Sequence, residues 1–149
     1  MRRMVESQAN VAVLGGCMVL EADDGTSALD VMRSEAAADR VVDFVLIDYV
    51  MVHMDGPEAV QRMRSELGYR GVVIGITGNA LPEDLTFFKD HGANTVITKP
   101  LTNAKLMDAI LYSSADRTEY KQVAGSVILS FILPSFLPSE RTSYKLCRL

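Results

Sequence analysis

Phe44-Val45-Leu46-Ile47-Asp48 decides the fold: four consecutive apolar residues run into a single carboxylate. Side chains alternate between the two faces of a strand, so an unbroken apolar run is buried on both, as in parallel sheets covered by helices. The pattern returns downstream. Val72-Val73-Ile74-Gly75-Ile76 leads to Thr77, and Thr95-Val96-Ile97-Thr98 leads to Lys99-Pro100. Upstream, residues 18–21 form a shorter strand that ends in the turn Asp23-Asp24-Gly25.

Between these strands the apolar period changes from two to about 3.6. Ala28, Leu29 and Met32 share a helical face, as do Ala59, Val60, Met63 and Leu67. Pro57 and Pro82 sit at first-turn positions, and Gly68 and Gly92 end the runs. A final helix over 102–112 turns Leu106, Met107 and Ile110 inward. Strands alternating with crossover helices predict an α/β domain around a parallel sheet, covering 18–112.

The ends differ. Residues 2–8 read as a short helix, so 1–17 is taken as a residual first helix plus an insertion. Residues 113–149 break the rhythm and are expected to form a non-globular or loosely packed tail with an apolar segment at 123–137. That segment is uncharged but contains Pro134 and is shorter than the roughly 20 residues of a spanning helix, so no membrane partner is expected.

With 149 residues, 48% of them hydrophobic, the chain suits one core and a tail. Fifteen basic against nineteen acidic residues give a net charge of -4, which offers no footprint for nucleic acid. Cys17 and Cys147 form no metal or redox motif and read as free thiols in a reducing, cytoplasmic setting.

In an open parallel sheet the functional groups gather at the carboxyl ends of the strands. Three strand ends deliver Asp48, Thr77 and Lys99 to one edge: a carboxylate, a hydroxyl and an ammonium. Singly, each has an ordinary structural use as a cap, a strand residue or a solvated charge. Together they suit a phosphoryl group, the carboxylate attacking phosphorus while the other two offset charge on its oxygens.

The segment from Asp48 to Asp55-Gly56 resembles the phosphoacceptor region of receiver (response-regulatory) domains of two-component systems. Glu21-Ala22-Asp23-Asp24-Gly25, Thr77-Gly78-Asn79-Ala80, Gly92-Ala93 and Lys99-Pro100 follow in receiver order. The resemblance is strongest to receivers of hybrid histidine kinases. It implies a flavodoxin-like (CheY-like), doubly wound parallel sheet and a phosphorelay role. Asp48 would take phosphoryl from the phosphohistidine of a histidine kinase or histidine phosphotransfer protein. Thr77 would be the switch hydroxyl and Lys99 the phosphoryl contact. Mg2+ would be held by Asp48 and the backbone carbonyl of Val50, and the bond before Pro100 would be cis. Such a domain is not an enzyme in its own right.

Four departures stand against this pattern. Val52 replaces a usual proline and Val96 a usual switch aromatic, while residues 11–17 look inserted. The first strand, with the acidic pair at its end, is expected to be missing, leaving the chain N-terminally truncated relative to the family and Mg2+ weakly held or absent. In the implied strand order 2-1-3-4-5 the gap is interior. A hairpin of residues 11–14 folding back on residues 18–21 would fill it in antiparallel sense. Asp23 and Asp24 follow a different strand and read as turn and helix cap, not as substitutes for the pair. His53 and His91 lack partners at ligand spacing. Two other functions are weighed: a receiver-like module that binds partners without phosphorylation, and an unrelated flavodoxin-like binding protein, which the absence of a Ser/Thr/Gly-rich loop disfavours.

Overall fold

A computed structural model describes residues 12–14, 17–113 and 144–148 of the chain. In chain order these form β1 (Ala12–Leu14), β2 (Cys17–Ala22), α1 (Gly25–Ala37), β3 (Phe44–Asp48), α2 (Gly56–Glu66), β4 (Val72–Thr77), α3 (Pro82–Asp90), β5 (Thr95–Thr98), α4 (Asn103–Ser113) and β6 (Tyr144–Arg148). The sheet order is β1-β2-β6-β3-β4-β5.

The predicted parallel pairing is present: β3 pairs with β4 from Phe44–Val72 to Asp48–Ile76, and β4 pairs with β5 from Ile74–Thr95 to Thr77–Thr98. Both faces of β3 and β4 are covered, which is why Phe44–Ile47 and Val72–Ile76 carry no charged residue; β5 is only half-buried. Val45, Ile47 and Val73 join residues of α1, α2 and α3 in one core, with Leu29, Val60, Met63 and Phe88 fully enclosed. Phe44, Leu46, Val72 and Ile74 face the other way, against Leu106, Ala109 and Ile110 of α4.

Local chemistry sets the helix starts. Asp24 caps α1, accepting the Ser27 N–H at 2.8 Å while the Ser27 hydroxyl accepts the Asp24 N–H, a reciprocal capping box. Asp55 caps α2 by accepting from Glu58 N–H at 3.0 Å, with Pro57 in the first turn. The α2 end is strapped to the amino edge of the sheet by Arg64, which donates to the carbonyls of Tyr69, Gly71 and Gly92.

The filling of the interior slot differs from expectation. Ala12–Leu14 does pair antiparallel with β2, from Ala12–Val19 to Leu14–Cys17, but on its outer edge. The slot between β2 and β3 holds β6, antiparallel to both. β2 and β3 therefore run in the same sense, as a receiver-like order requires. A three-residue strand at the outer edge satisfies one ladder, whereas β6 pairs five residues of β2 and three of β3 and so satisfies two. Within the stretch read from sequence as a tail, Tyr144–Arg148 forms an interior strand of the sheet. The expected helix at 2–8 and the apolar segment at 123–137 lie outside the described residues. Among the described residues, no helix is long and apolar enough to cross a membrane.

Candidate phosphoacceptor site

Asp48 is the last residue of β3, Thr77 the last of β4, and Lys99 follows β5 directly. Parallel pairing in register therefore brings the three groups to one edge. The Lys99 ammonium lies 3.0 Å from Asp48 Oδ1 and 3.1 Å from Oδ2, so it spans both carboxylate oxygens. The Asp48 side chain is only 14% exposed and that of Lys99 51%, which places the pair at a mouth rather than in the core. Thr77 is buried, and its hydroxyl accepts the Asn79 N–H at 3.1 Å. Lys99 N–H donates to the Thr77 carbonyl at 2.8 Å, joining two of the three positions through the backbone. The Lys99–Pro100 bond is cis, as the resemblance implies.

The loop after Asp48 is closed on itself. Tyr49 N–H donates to the Ile76 carbonyl at 2.7 Å, and Gly56 N–H donates back to the Tyr49 carbonyl at 2.9 Å. This return brings the start of α2 against the end of β3. A Cβ at Gly56 would collide with the Asp48 carbonyl and the Phe88 ring, so the Asp-Gly pair at 55–56 combines a cap with the one side chain small enough for the approach. Tyr49 packs edge-on against Phe88 with centroids 5.3 Å apart, and burial pushes its phenol up from the ordinary tyrosine range. Val50 and Val52 stand exposed on this loop.

Of the two acids that follow β2, Asp24 has its carboxylate engaged. Asp24 caps α1 and accepts from His53 Nδ1, or pairs with it, at 3.1 Å. Its carboxyl is held below the usual range, chiefly by the Ser27 N–H and then by the Ser27 and His53 side chains. His53 thus has a partner that residue spacing did not reveal; its φ of 67° turns the loop so that the imidazole reaches a residue 29 positions earlier. Asp23 is exposed, with its N–H on the Ser27 hydroxyl.

For Mg2+ the described residues offer few ligands. Among the described residues no group of three or more His, Cys, Asp or Glu is placed to hold a metal ion, and both Asp48 oxygens face Lys99. Strand direction decides which residues of β6 lie at this edge. A parallel strand in the slot would bring its last residues to the Asp48 edge, whereas antiparallel β6 brings its first. Lys145 is opposite Leu46 and Cys147 opposite Phe44, so Tyr144 and Lys145 occupy the end nearest Asp48.

One contributor was missed by sequence reasoning. Lys105, on α4, donates to the carbonyls of Thr98 at 3.0 Å and Pro100 at 3.2 Å, one on each side of Lys99. The available signal was a cation in the first turn of a helix, where the macrodipole disfavours it.

Residues 2–111 match the family described as the response regulator receiver domain. The two-component response regulator ORR41 of Oryza sativa subsp. japonica is 36% identical over 104 residues, which span 70% of this chain and 79% of that protein. The sensor histidine kinase RcsC of Salmonella typhimurium is 38% identical over 81 residues, 54% of this chain but only 8% of the kinase. Among solved structures, the signal receiver domain of the putative response regulator NarL from Mycobacterium tuberculosis superposes with a TM-score of 0.54 at 26% identity. That superposition covers 64% of this chain and 73% of that one.

Proposed function

The chain belongs to the response regulator receiver domain family of two-component signalling, and on that premise we propose that Asp48 is its phosphoacceptor, taking phosphoryl from the phosphohistidine of a histidine kinase or histidine phosphotransfer protein. The observation that carries the proposal is the Lys99 ammonium spanning both oxygens of Asp48 at the carboxyl ends of parallel strands. An Asp48 oxygen attacks phosphorus, the bond from phosphorus to the donor imidazole breaks, and the ring nitrogen leaves with the bonding pair. Lys99 shifts from the carboxylate onto the phosphoryl oxygens, and the Thr77 hydroxyl turns from Asn79 to donate to one of them. Positioning and charge stabilisation carry most of such a transfer.

The reaction is slow in this chain. Mg2+ would rest on Asp48 and the Val50 carbonyl, a set with one carboxylate for an ion usually held by one or two carboxylates together with phosphate oxygens and waters. The same observations favour a second reading, a receiver-like module that docks partners without phosphorylation, for which the exposed Val50 and Val52 supply an apolar rim. Both readings place the domain in the cytoplasm, where histidine donors of this kind present their phosphoryl groups.

The two separate on incubation with a phosphorylated histidine phosphotransfer protein. Loss of label from the donor with its appearance on wild-type chain, but not on Asp48→Asn, is the outcome expected of a phosphoacceptor. Equal binding of both chains with the label left on the donor selects the docking module.

A further inference from the structure

Lys99 is a long side chain at a half-exposed mouth, yet it rests on both oxygens of a carboxylate 51 residues away. A four-carbon stem of this kind loses considerable rotamer freedom when it is held in one place, so the backbone that carries it needs to be fixed. Its N–H is held by the Thr77 carbonyl at 2.8 Å. The residues on either side are held by one group, the Lys105 ammonium, on the carbonyls of Thr98 and Pro100.

The placement of Lys105 follows from α4. Thr102 accepts the Lys105 N–H at 3.2 Å through its hydroxyl, which satisfies a free donor of the first turn. Helical side chains lean toward the amino end, so a residue in this turn reaches back over the connection from β5. A cation there sits at the positive end of the helix dipole, an adverse place unless it finds acceptors off the axis. Two carbonyls flanking Lys99 are those acceptors.

We propose that Lys105 is a positioning residue: by bridging the carbonyls of Thr98 and Pro100 it fixes the backbone of Lys99 and so aims the Lys99 ammonium at Asp48. It touches neither the carboxylate nor an incoming phosphoryl group and acts only through Lys99. The inference rests on the phosphoacceptor reading for its functional meaning, but the Lys99–Asp48 pair can be followed without any phosphorylation.

The test is acylation of the whole chain by a limiting amine-reactive reagent, with the rate at Lys99 read by peptide mass spectrometry. In wild type, Lys99 reacts slowly because Asp48 holds it. In Lys105→Met it should react about fivefold faster, the factor for one lost net hydrogen bond. Lys105→Arg, whose guanidinium also donates to two carbonyls, should return to within about twofold of wild type. In an Asp48→Asn background, where Lys99 is already released, Lys105→Met should add nothing. An unchanged Lys99 rate in Lys105→Met overturns the proposal even if the melting temperature falls, since that would be a structural role alone. An equal acceleration in the Asp48→Asn background overturns it too, because the effect then bypasses the pair. If the Lys99 rates follow expectation while Asp48 of wild type never accepts phosphoryl, the clamp stands and the phosphoacceptor reading falls.

Discussion

On one side of β3 lies β4, parallel and matched through all five residues of β3 from Phe44–Val72 to Asp48–Ile76. On the other side lies β6, antiparallel and matched at Phe44, Val45 and Leu46. The first neighbour is the parallel one expected from the sequence, and it brings Thr77 to the same edge as Asp48. The second brings the first residues of its strand to that edge, with Tyr144 and Lys145 leading. A sheet can therefore restore its backbone ladder with a strand of either sense. A site cannot be restored so freely, because strand direction decides which residues arrive at it.

The contrast is sharpened most by perturbing the well-built side. Phe88 is fully buried beneath Gly56, Gly75 and Tyr49, where it supports both the loop after Asp48 and the end of β4. Phe88→Ala should cost about 3–5 kcal/mol in denaturant unfolding, the range for a buried aromatic with little room to collapse. A loss under about 1 kcal/mol would mean that this core does not carry the site as described.

A smaller effect is expected on the other side. Leu146 pairs with Leu20 in β2 and Val45 in β3. Proline there removes a ladder donor from an interior strand, so Leu146→Pro should destabilise by about 1–3 kcal/mol and lower the melting temperature by more than about 5 °C. An unchanged melting curve would place β6 outside the sheet.

The smallest effect lies at the join between the halves, where Asp24 caps α1 and meets His53 from the Asp48 loop. Asp24→Ala should cost about 1 kcal/mol at neutral pH through the lost cap. The folded protein holds the Asp24 carboxyl below its usual value, chiefly through the Ser27 N–H, so the ionised form is favoured in the fold. That stabilisation is complete above the ordinary aspartate value and is lost as pH falls through the lower folded one. The deficit of Asp24→Ala, followed by urea unfolding, should therefore hold from neutral pH to roughly pH 4 and shrink in stronger acid.

The two sides also differ in how legible they were. The strands β3 and β4 could be read because burial on both faces demands continuous apolar runs, and the crossover helices carry their own period and caps. The juxtaposition of Asp48 and Lys99 followed from register alone. Nothing comparable marks β6. Tyr144-Lys145-Leu146-Cys147-Arg148 interleaves charged and apolar residues, which argues against an interior strand of a parallel sheet, and its partners in β2 and β3 lie far earlier in the chain, where no local pattern points to them. The hairpin of β1 with β2 was legible, but not which edge of β2 it would take. The His53–Asp24 contact depended on a positive φ at a non-glycine residue, and the Lys105 clamp on a side chain reaching back over a turn. Neither leaves a trace in spacing.

The most direct measurement of the central claim, that Asp48 is an assembled phosphoacceptor short of metal ligands, is intact-mass analysis during incubation with acetyl phosphate and Mg2+. This small donor removes any dependence on partner docking. An adduct of one phosphoryl group should build slowly, over hours, on wild type and never on Asp48→Asn. Stoichiometric phosphorylation of Asp48 within minutes would contradict the shortage of ligands, and an adduct of the same size on Asp48→Asn would contradict the assignment of the acceptor.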